Sequence, residues 1–358
     1  MTRNAPVFDV SCGAAARGRG FRRLGAWLSG LACVAAAATT GCRVTPGTPH
    51  ERHGDEILVA GQMFRTGAPV VLWIDDDGYD AYRADARFEP YESSSWEDIK
   101  DDLPSYASPN RFSLRKSGFG AGVPDLTDEQ IEAVRHGRWD LESLRRVVDQ
   151  FVVHYDVCGV SEHTFRILHD KRSLSVHFLL DVDGTIYQTL DLQERAWHAG
   201  SANSRSVGIE IAHIGAYPPD HESSPLDTWY IPDETGRLRV NIPERLGQPR
   251  TPGFVARPSS DEPVLGEIHG RMLKQYDYTD EQYESLAHLV ATLNRVLPNI
   301  ELTVPRDARG RVRSDRLSDE ELARYKGLIA HWHLTTNKID PGPAFDWDRV
   351  IERAKELR

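Results

Sequence analysis

Apolar and polar positions along the 358-residue chain recur with two periods, 3.6 residues and two, and the switches between them mark out helices and strands. Ile57-Leu-Val-Ala and Val70-Val-Leu-Trp-Ile flank Arg65-Thr-Gly-Ala-Pro, whose composition predicts the turn of a hairpin. Residues 75–123 are polar and irregular with scattered Tyr, Phe and Trp, so 56–125 reads as an N-terminal appendage. Thr127-Asp-Glu-Gln has the form of a helix-capping sequence, and Asp140 to Asp149 carries helical apolar spacing. Phe151 to Tyr155 reads as a buried strand, Glu162 to His169 as a helix, and Ser175 to Gln188 as a hairpin turning at Asp183-Gly184. Ser206 to Ile211 is another strand. Residues 215–266 are rich in Pro, Gly, Asp and Ser, which predicts a long loop-rich insertion. Thr279 to Leu297 is an amphipathic helix, Ser318 to Tyr325 starts a short one, Gly327 to His331 reads as a strand and Asp346 to Leu357 as a closing helix. Strands alternating with helices predict an α/β domain over 126–358, and the hairpin makes its central sheet mixed, flanked by helices.

The N-terminus follows neither period. Arg17, Arg19, Arg22 and Arg23 precede an apolar run from Leu24 to Ala38, which ends in Thr39-Thr-Gly-Cys42. That layout predicts a signal peptide over 1–41, and small residues before a cysteine resemble the lipobox of bacterial lipoproteins, with Cys42 as the lipid-bearing residue. Residues 42–55 have turn and breaker composition and read as a tether. Removing 1–41, which carry five Arg and one Asp, takes the formal charge from -11 to -15. So acidic a chain has no electrostatic grip on nucleic acid, and its membrane contact is expected through the lipid anchor alone. Of four cysteines, Cys12 and Cys33 leave with the signal and Cys42 is lipidated, so Cys158 remains as a thiol and a disulfide framework is excluded. The sequence sets no oligomeric state.

Candidate chemistry gathers in His331-Trp-His-Leu-Thr-Thr-Asn-Lys-Ile-Asp340-Pro-Gly-Pro, taken with His154 in the upstream strand. Two imidazoles and one carboxylate are the usual protein ligands of a catalytic zinc ion (Zn2+). Lys338 would add a positive charge where a carbonyl oxygen becomes negative during hydrolysis. Glu210 inside an apolar strand is a costly buried charge that calls for a partner or a function. His331 and His333 are two residues apart, so in an extended strand either imidazole reaches the same side.

The motifs Val153-His-Tyr, Leu174-Ser-Val-His-Phe-Leu, Asp183-Gly-Thr-Ile-Tyr-Gln, Arg195-Ala-Trp-His-Ala-Gly, Ser206-Val-Gly-Ile-Glu and Lys338-Ile-Asp-Pro-Gly-Pro occur in order over residues 145–355. Together they resemble the zinc-dependent N-acetylmuramoyl-L-alanine amidases of the "amidase 2" type, whose superfamily includes the peptidoglycan recognition proteins. The resemblance implies His154, His331 and Asp340 as zinc ligands, Glu210 as general base and Lys338 as oxyanion partner. The Leu-Ile-Ala lead-in matches the family's and favours His331 over His333 as the ligand. Phage members carry a tyrosine where this chain has Val176, which leaves the base to Glu210. Trp197, His198 and Asn203 are read as substrate-groove residues from their position. The implied substrate is peptidoglycan or a muropeptide, cut between N-acetylmuramic acid and L-alanine. Arg43 after the lipidated cysteine, rather than Asp, permits sorting to the periplasmic side of an outer membrane, with a secreted or free periplasmic protein as the alternative. A peptidoglycan-binding protein without turnover is the second reading, and the complete ligand, base and lysine set weighs against it.

Overall fold

Runs of Val, Ile, Leu and Phe form a six-stranded central sheet from β1 (Val70–Leu72), β2 (Gln150–Tyr155), β3 (Phe178–Leu180), β4 (Ile186–Gln188), β5 (Ser206–Ile211) and β6 (Gly327–Ala330). The computed structural model describes residues 46–47, 49, 51–83, 85–88, 90, 92, 113–115, 126–136, 139–222 and 224–358. The expected signal over 1–41 and the expected lipid site Cys42 lie outside the described residues, as do 93–112 and 116–125. The strand order is β6-β2-β5-β3-β4-β1. β6, β2, β5 and β3 run parallel, β4 runs antiparallel to β3, and β1 is parallel to β4. The sheet is therefore mixed, and the β3–β4 return is the hairpin expected over Ser175 to Gln188.

Side chains alternate across a strand, so each strand divides its residues between two faces. Phe151 and Val153 of β2, Val207 and Ile209 of β5, and Leu328 and Ala330 of β6 share one buried cluster. The helices α1 (Asp280–Val296) and α2 (Trp347–Glu356) cover that face with Leu286, Leu289, Val290, Leu293, Val350 and Ile351. Thr279 and Gln282 form a capping box that starts α1, and Asp346 accepts from the Arg349 amide to start α2. On the other face Val152 and Ile329 pack with Ala199, Ala202 and Leu317. The residues left for that face of β2 and β5 include His154, Ser206, Gly208 and Glu210.

The N-terminal strands depart from the expected hairpin. Glu56–Val59 pairs with Gln62–Arg65, and the chain reverses at Ala60-Gly61 rather than at Arg65-Thr-Gly-Ala-Pro. Both turn residues have positive φ, 49° and 72°. Asp191 fixes them from across the fold, its two carboxylate oxygens each accepting at 2.7 Å from the amides of Ala60 and Gly61. Val70–Leu72 is freed from the hairpin and becomes the edge strand β1, which brings part of 56–125 into the central sheet. Insertion 215–266 contains a helical turn, Leu226–Trp229, and a short antiparallel pair, Tyr230–Pro232 with Leu238–Val240. These pack on Val160, Ile214 and Leu246. Among the described residues, no helix is long and apolar enough to cross a membrane.

Candidate functional site

Three adjacent parallel strands, β6, β2 and β5, end at the same edge of the sheet, and the candidate residues stand at those ends. His154 and Glu210 are each the penultimate residue of a strand and are direct register partners. β6 stops at Ala330, and His331 opens a helical turn, His331–Leu334, that carries the chain toward Asp340. Nδ1 of His154 lies 2.9 Å from Asp340 Oδ2 and 2.9 Å from Nδ1 of His331, which is itself 2.8 Å from the same Oδ2.

Hydrogen bonds alone do not satisfy this triangle. If both Nδ1 atoms carry protons, two N–H groups face each other; if one does not, its lone pair faces that of the carboxylate. A cation between them would remove the conflict, because all three lone pairs could then turn inward. Two imidazoles and a carboxylate oxygen are a donor set that suits zinc. Among the described residues no other group of three or more His, Cys, Asp or Glu side chains gathers in this way. Burial, reinforced by the His331 imidazole, holds His154 down to about 4, which keeps it neutral and able to ligate. Burial raises Asp340, but the imidazoles of His331 and His154 outweigh it and hold the carboxyl below its ordinary range.

A cleft of about 420 Å³ opens over these groups, lined also by Glu210, Lys338, Trp197, His198 and Asn203. Glu210 Oε2 is buried and makes no hydrogen bond among the described residues. Burial, with the charges of Asp340 and Asp156, pushes the Glu210 carboxyl well above its usual value, while Lys338 and Arg172 oppose the rise. An unpartnered carboxylate of raised basicity at a cleft wall is the expected form of a proton acceptor. A larger hollow of about 580 Å³ between 303–306 and 317–325 contains no histidine or cysteine.

The expectation that His331 and His333 share a side fails because the chain is helical there. His333 is fully buried, its Nδ1 accepts from the Ala330 amide at 3.0 Å, and its Nε2 meets the Arg313 carbonyl at 2.7 Å. Both ring nitrogens are occupied by backbone, away from the triangle. His198, read from the sequence as a groove residue, also touches His154, with its Nδ1 3.0 Å from His154 Nε2. His177 accepts from the Gly208 amide through Nδ1, and Arg115 lies against its Nε2 at 3.1 Å. Arg115 comes from a segment with no readable pattern and gave no signal. Ser206 and Gly208 did have one, since alternation from Glu210 places 206, 208 and 210 on one face.

Residues 144–343, more than half of the chain, match a family model denoted Amidase_2 and described as N-acetylmuramoyl-L-alanine amidase. Among solved structures, a selenomethionine derivative of AmpD is 18% identical, with 58% of this chain and 86% of that one covered at a TM-score of 0.30. The N-acetylmuramyl-L-alanine amidase AmiD from E. coli, solved with the substrate anhydro-N-acetylmuramic acid-L-Ala-D-gamma-Glu-L-Lys, is 18% identical over 57% of each chain, TM-score 0.31. The N-acetylmuramoyl-L-alanine amidase LysC from Clostridium intestinale URNW is 16% identical over 60% of this chain and 89% of that one, TM-score 0.31. No curated protein matches.

Proposed function

The chain belongs to the N-acetylmuramoyl-L-alanine amidase family Amidase_2, and from that premise we propose a zinc-dependent hydrolase that cuts the amide between N-acetylmuramic acid and the L-alanine of the stem peptide. The observation that supports the metal is the triangle of His154 Nδ1, His331 Nδ1 and Asp340 Oδ2, whose 2.8–2.9 Å edges a cation would reconcile. These three are the proposed ligands, and their number is the one usual for a catalytic zinc. When bound, the ion supplies a Lewis acid that acidifies water and polarises the scissile carbonyl. Glu210 takes the proton of the attacking water and returns it to the leaving L-alanine amine. Lys338 is exposed and lines the cleft, and it makes no hydrogen bond or ion pair among the described residues, so its charge is available to the carbonyl oxygen as it turns negative. Trp197 and Asn203 contribute to the cleft wall that receives the glycopeptide. Residues 1–41 as a signal, Cys42 as lipid site, 42–55 as tether and a periplasmic outer-membrane location complete the proposal.

The test incubates purified protein, with and without a chelator, on intact sacculi and on soluble anhydromuropeptides, and identifies the products by mass. Stem peptide with a free L-alanine amine, released only when zinc is present, supports the reading. Binding to sacculi without cleavage in either condition replaces it with a peptidoglycan-binding role.

A further inference from the structure

A histidine that ligates through Nδ1 must keep its one proton on Nε2, and the structure supplies a partner for that proton. Nε2 of His154 lies 3.0 Å from Nδ1 of His198, and the two rings meet edge to face at 88°. At the far side of His198, Nε2 lies 3.3 Å from Oγ of Ser206, which is fully buried on β5. We propose that His198 is a positioning residue for the metal ligand His154, accepting the His154 Nε2 proton and fixing the tautomer and plane of that ring, rather than a contact for substrate. The inference rests on the preceding assignment of His154 as a ligand.

Proton bookkeeping runs in one direction without conflict. His154 donates from Nε2 to His198 Nδ1, which leaves the His198 proton on Nε2, and Ser206 Oγ accepts it. Every nitrogen then has one role, and Nδ1 of His154 is left as a lone pair facing Asp340 and His331. The reverse tautomer would place the proton of His154 on the atom that must ligate.

Independent features hold His198 where this chain requires it. Asn203 Oδ1 accepts from the backbone amides of His198 at 3.2 Å and Ala199 at 2.6 Å, which fixes the turn that carries the ring. The ring itself lies against the bare backbone of Gly208, where a Cβ would stand 2.4 Å from its atoms. Ser206, Gly208 and Glu210 are alternate residues of β5. One strand face thus provides the acceptor at the end of the chain, the space for the ring and the proposed base. Asn203, read from the sequence as a substrate contact, has its carbonyl oxygen spent on this turn.

Partners of this kind orient a ligand and raise its basicity, and losing one costs about 10–100-fold in metal affinity. The experiment titrates zinc into metal-free wild-type protein and the variants His198→Ala, His198→Asn and His331→Ala, in competition with a chromophoric chelator. Thermal unfolding of each metal-free protein is followed in parallel. His198→Ala is expected to weaken zinc by about 10–100-fold with the metal-free melting temperature near that of wild type. His198→Asn, whose Oδ1 stands near the place of Nδ1, restores part of the affinity. His331→Ala abolishes tight binding. Zinc affinity of His198→Ala within about threefold of wild type, while His331→Ala loses it, overturns the positioning role and leaves the ligand assignment standing. Loss of affinity in step with loss of metal-free stability, without recovery in the Asn variant, also overturns it. If His331→Ala binds like wild type, the ligand assignment fails and the positioning role falls with it.

Discussion

Glu210 occupies a place in an apolar strand where Leu or Val would be more stable, between Ile209 and Ile211 of the buried core. Its cost is readable from its surroundings. Burial, with Asp340 and Asp156, raises its carboxyl well above the ordinary value, so the folded state binds the proton more tightly than the unfolded chain does. Ionised Glu210 therefore destabilises the fold above its folded pKa, and this penalty fades as pH falls through that value toward the unfolded one. Glu210→Gln in the metal-free protein is expected to be more stable than wild type near neutral pH, by about 1–3 kcal/mol. The difference should shrink in acid, where denaturant titrations at several pH values would follow it. The same substitution is expected to lower turnover by about 10²–10⁴-fold with zinc content unchanged by elemental analysis. Removing Lys338, which opposes the rise, is expected to move the acid limb of the kcat/KM profile to higher pH in Lys338→Met. An unmoved limb would separate Lys338 from the Glu210 environment. Read as a residue in the sequence, Glu210 was visible because it broke a strand pattern. His198 was visible in the Arg195-Ala-Trp-His-Ala-Gly motif as a groove residue, but its contact with His154, which spans 44 positions, was not.

At the scale of elements, local pattern decided the parts of the fold whose signals are local. Thr279 with Gln282, Ser318 with Glu321 and Thr127 with Gln130 all close capping boxes at the helix starts that their spacing predicts. The N-terminal hairpin was misplaced because its turn is determined elsewhere. Ala60-Gly61 lacks the Asn-Gly or Asp-Gly pair that favours two positive φ values, and Asp191, more than a hundred residues away, holds both amides instead. Gln188 continues the same clasp from β4, its Oε1 accepting from the Leu58 amide at 2.7 Å and its Nε2 donating to the Leu58 carbonyl at 2.8 Å. The His331–Leu334 turn was misread for the converse reason, since its apolar lead-in has strand character up to Ala330 and nothing in His-Trp-His marks the change. Asp191→Ala leaves two turn amides without their carboxylate and is expected to cost about 2–4 kcal/mol in urea unfolding. Limited proteolysis should then cut within 56–65 before the rest of the chain, and an unchanged cleavage pattern would show that the turn holds itself.

For the whole molecule, sheet direction decides where chemistry collects. Four parallel strands with helices on one face leave the other face of β2 and β5 free for polar residues, and the shared ends of β6, β2 and β5 bring positions 154, 210 and 331 to one edge. A pair of helices covering one side is legible from two amphipathic stretches. Which strands lie adjacent is not, because that order depends on crossovers and not on any local signal. Placement of the molecule in its envelope is a separate matter, and under the proposed lipid anchor it turns on charge and acyl chains. Were residues 1–41 removed the formal charge would be -15, so an anionic bilayer would repel the domain within a Debye length, about 8–10 Å, and give no adhesion. Retention would then depend on the acyl chains at Cys42. Of the proposed tether over 42–55, Arg52 pairs with Asp75 and the carbonyls of Gly54 and Asp55 accept from the amides of Val70 and Thr66, so 42–51 would reach at most about 33–36 Å at full extension, roughly 3.3–3.6 Å per residue. An anchor of that reach would confine the cleft to wall close to the membrane. Cys42→Ala is expected to move the protein from the membrane fraction to the soluble one and to remove the lipid mass from its first peptide. Cleavage of soluble anhydromuropeptides should persist, because a soluble substrate diffuses to the cleft wherever the protein sits, while cleavage of intact sacculi in cells should fall with the lost local concentration. A Cys42→Ala protein that stays with the membrane would show that something other than lipid holds it there.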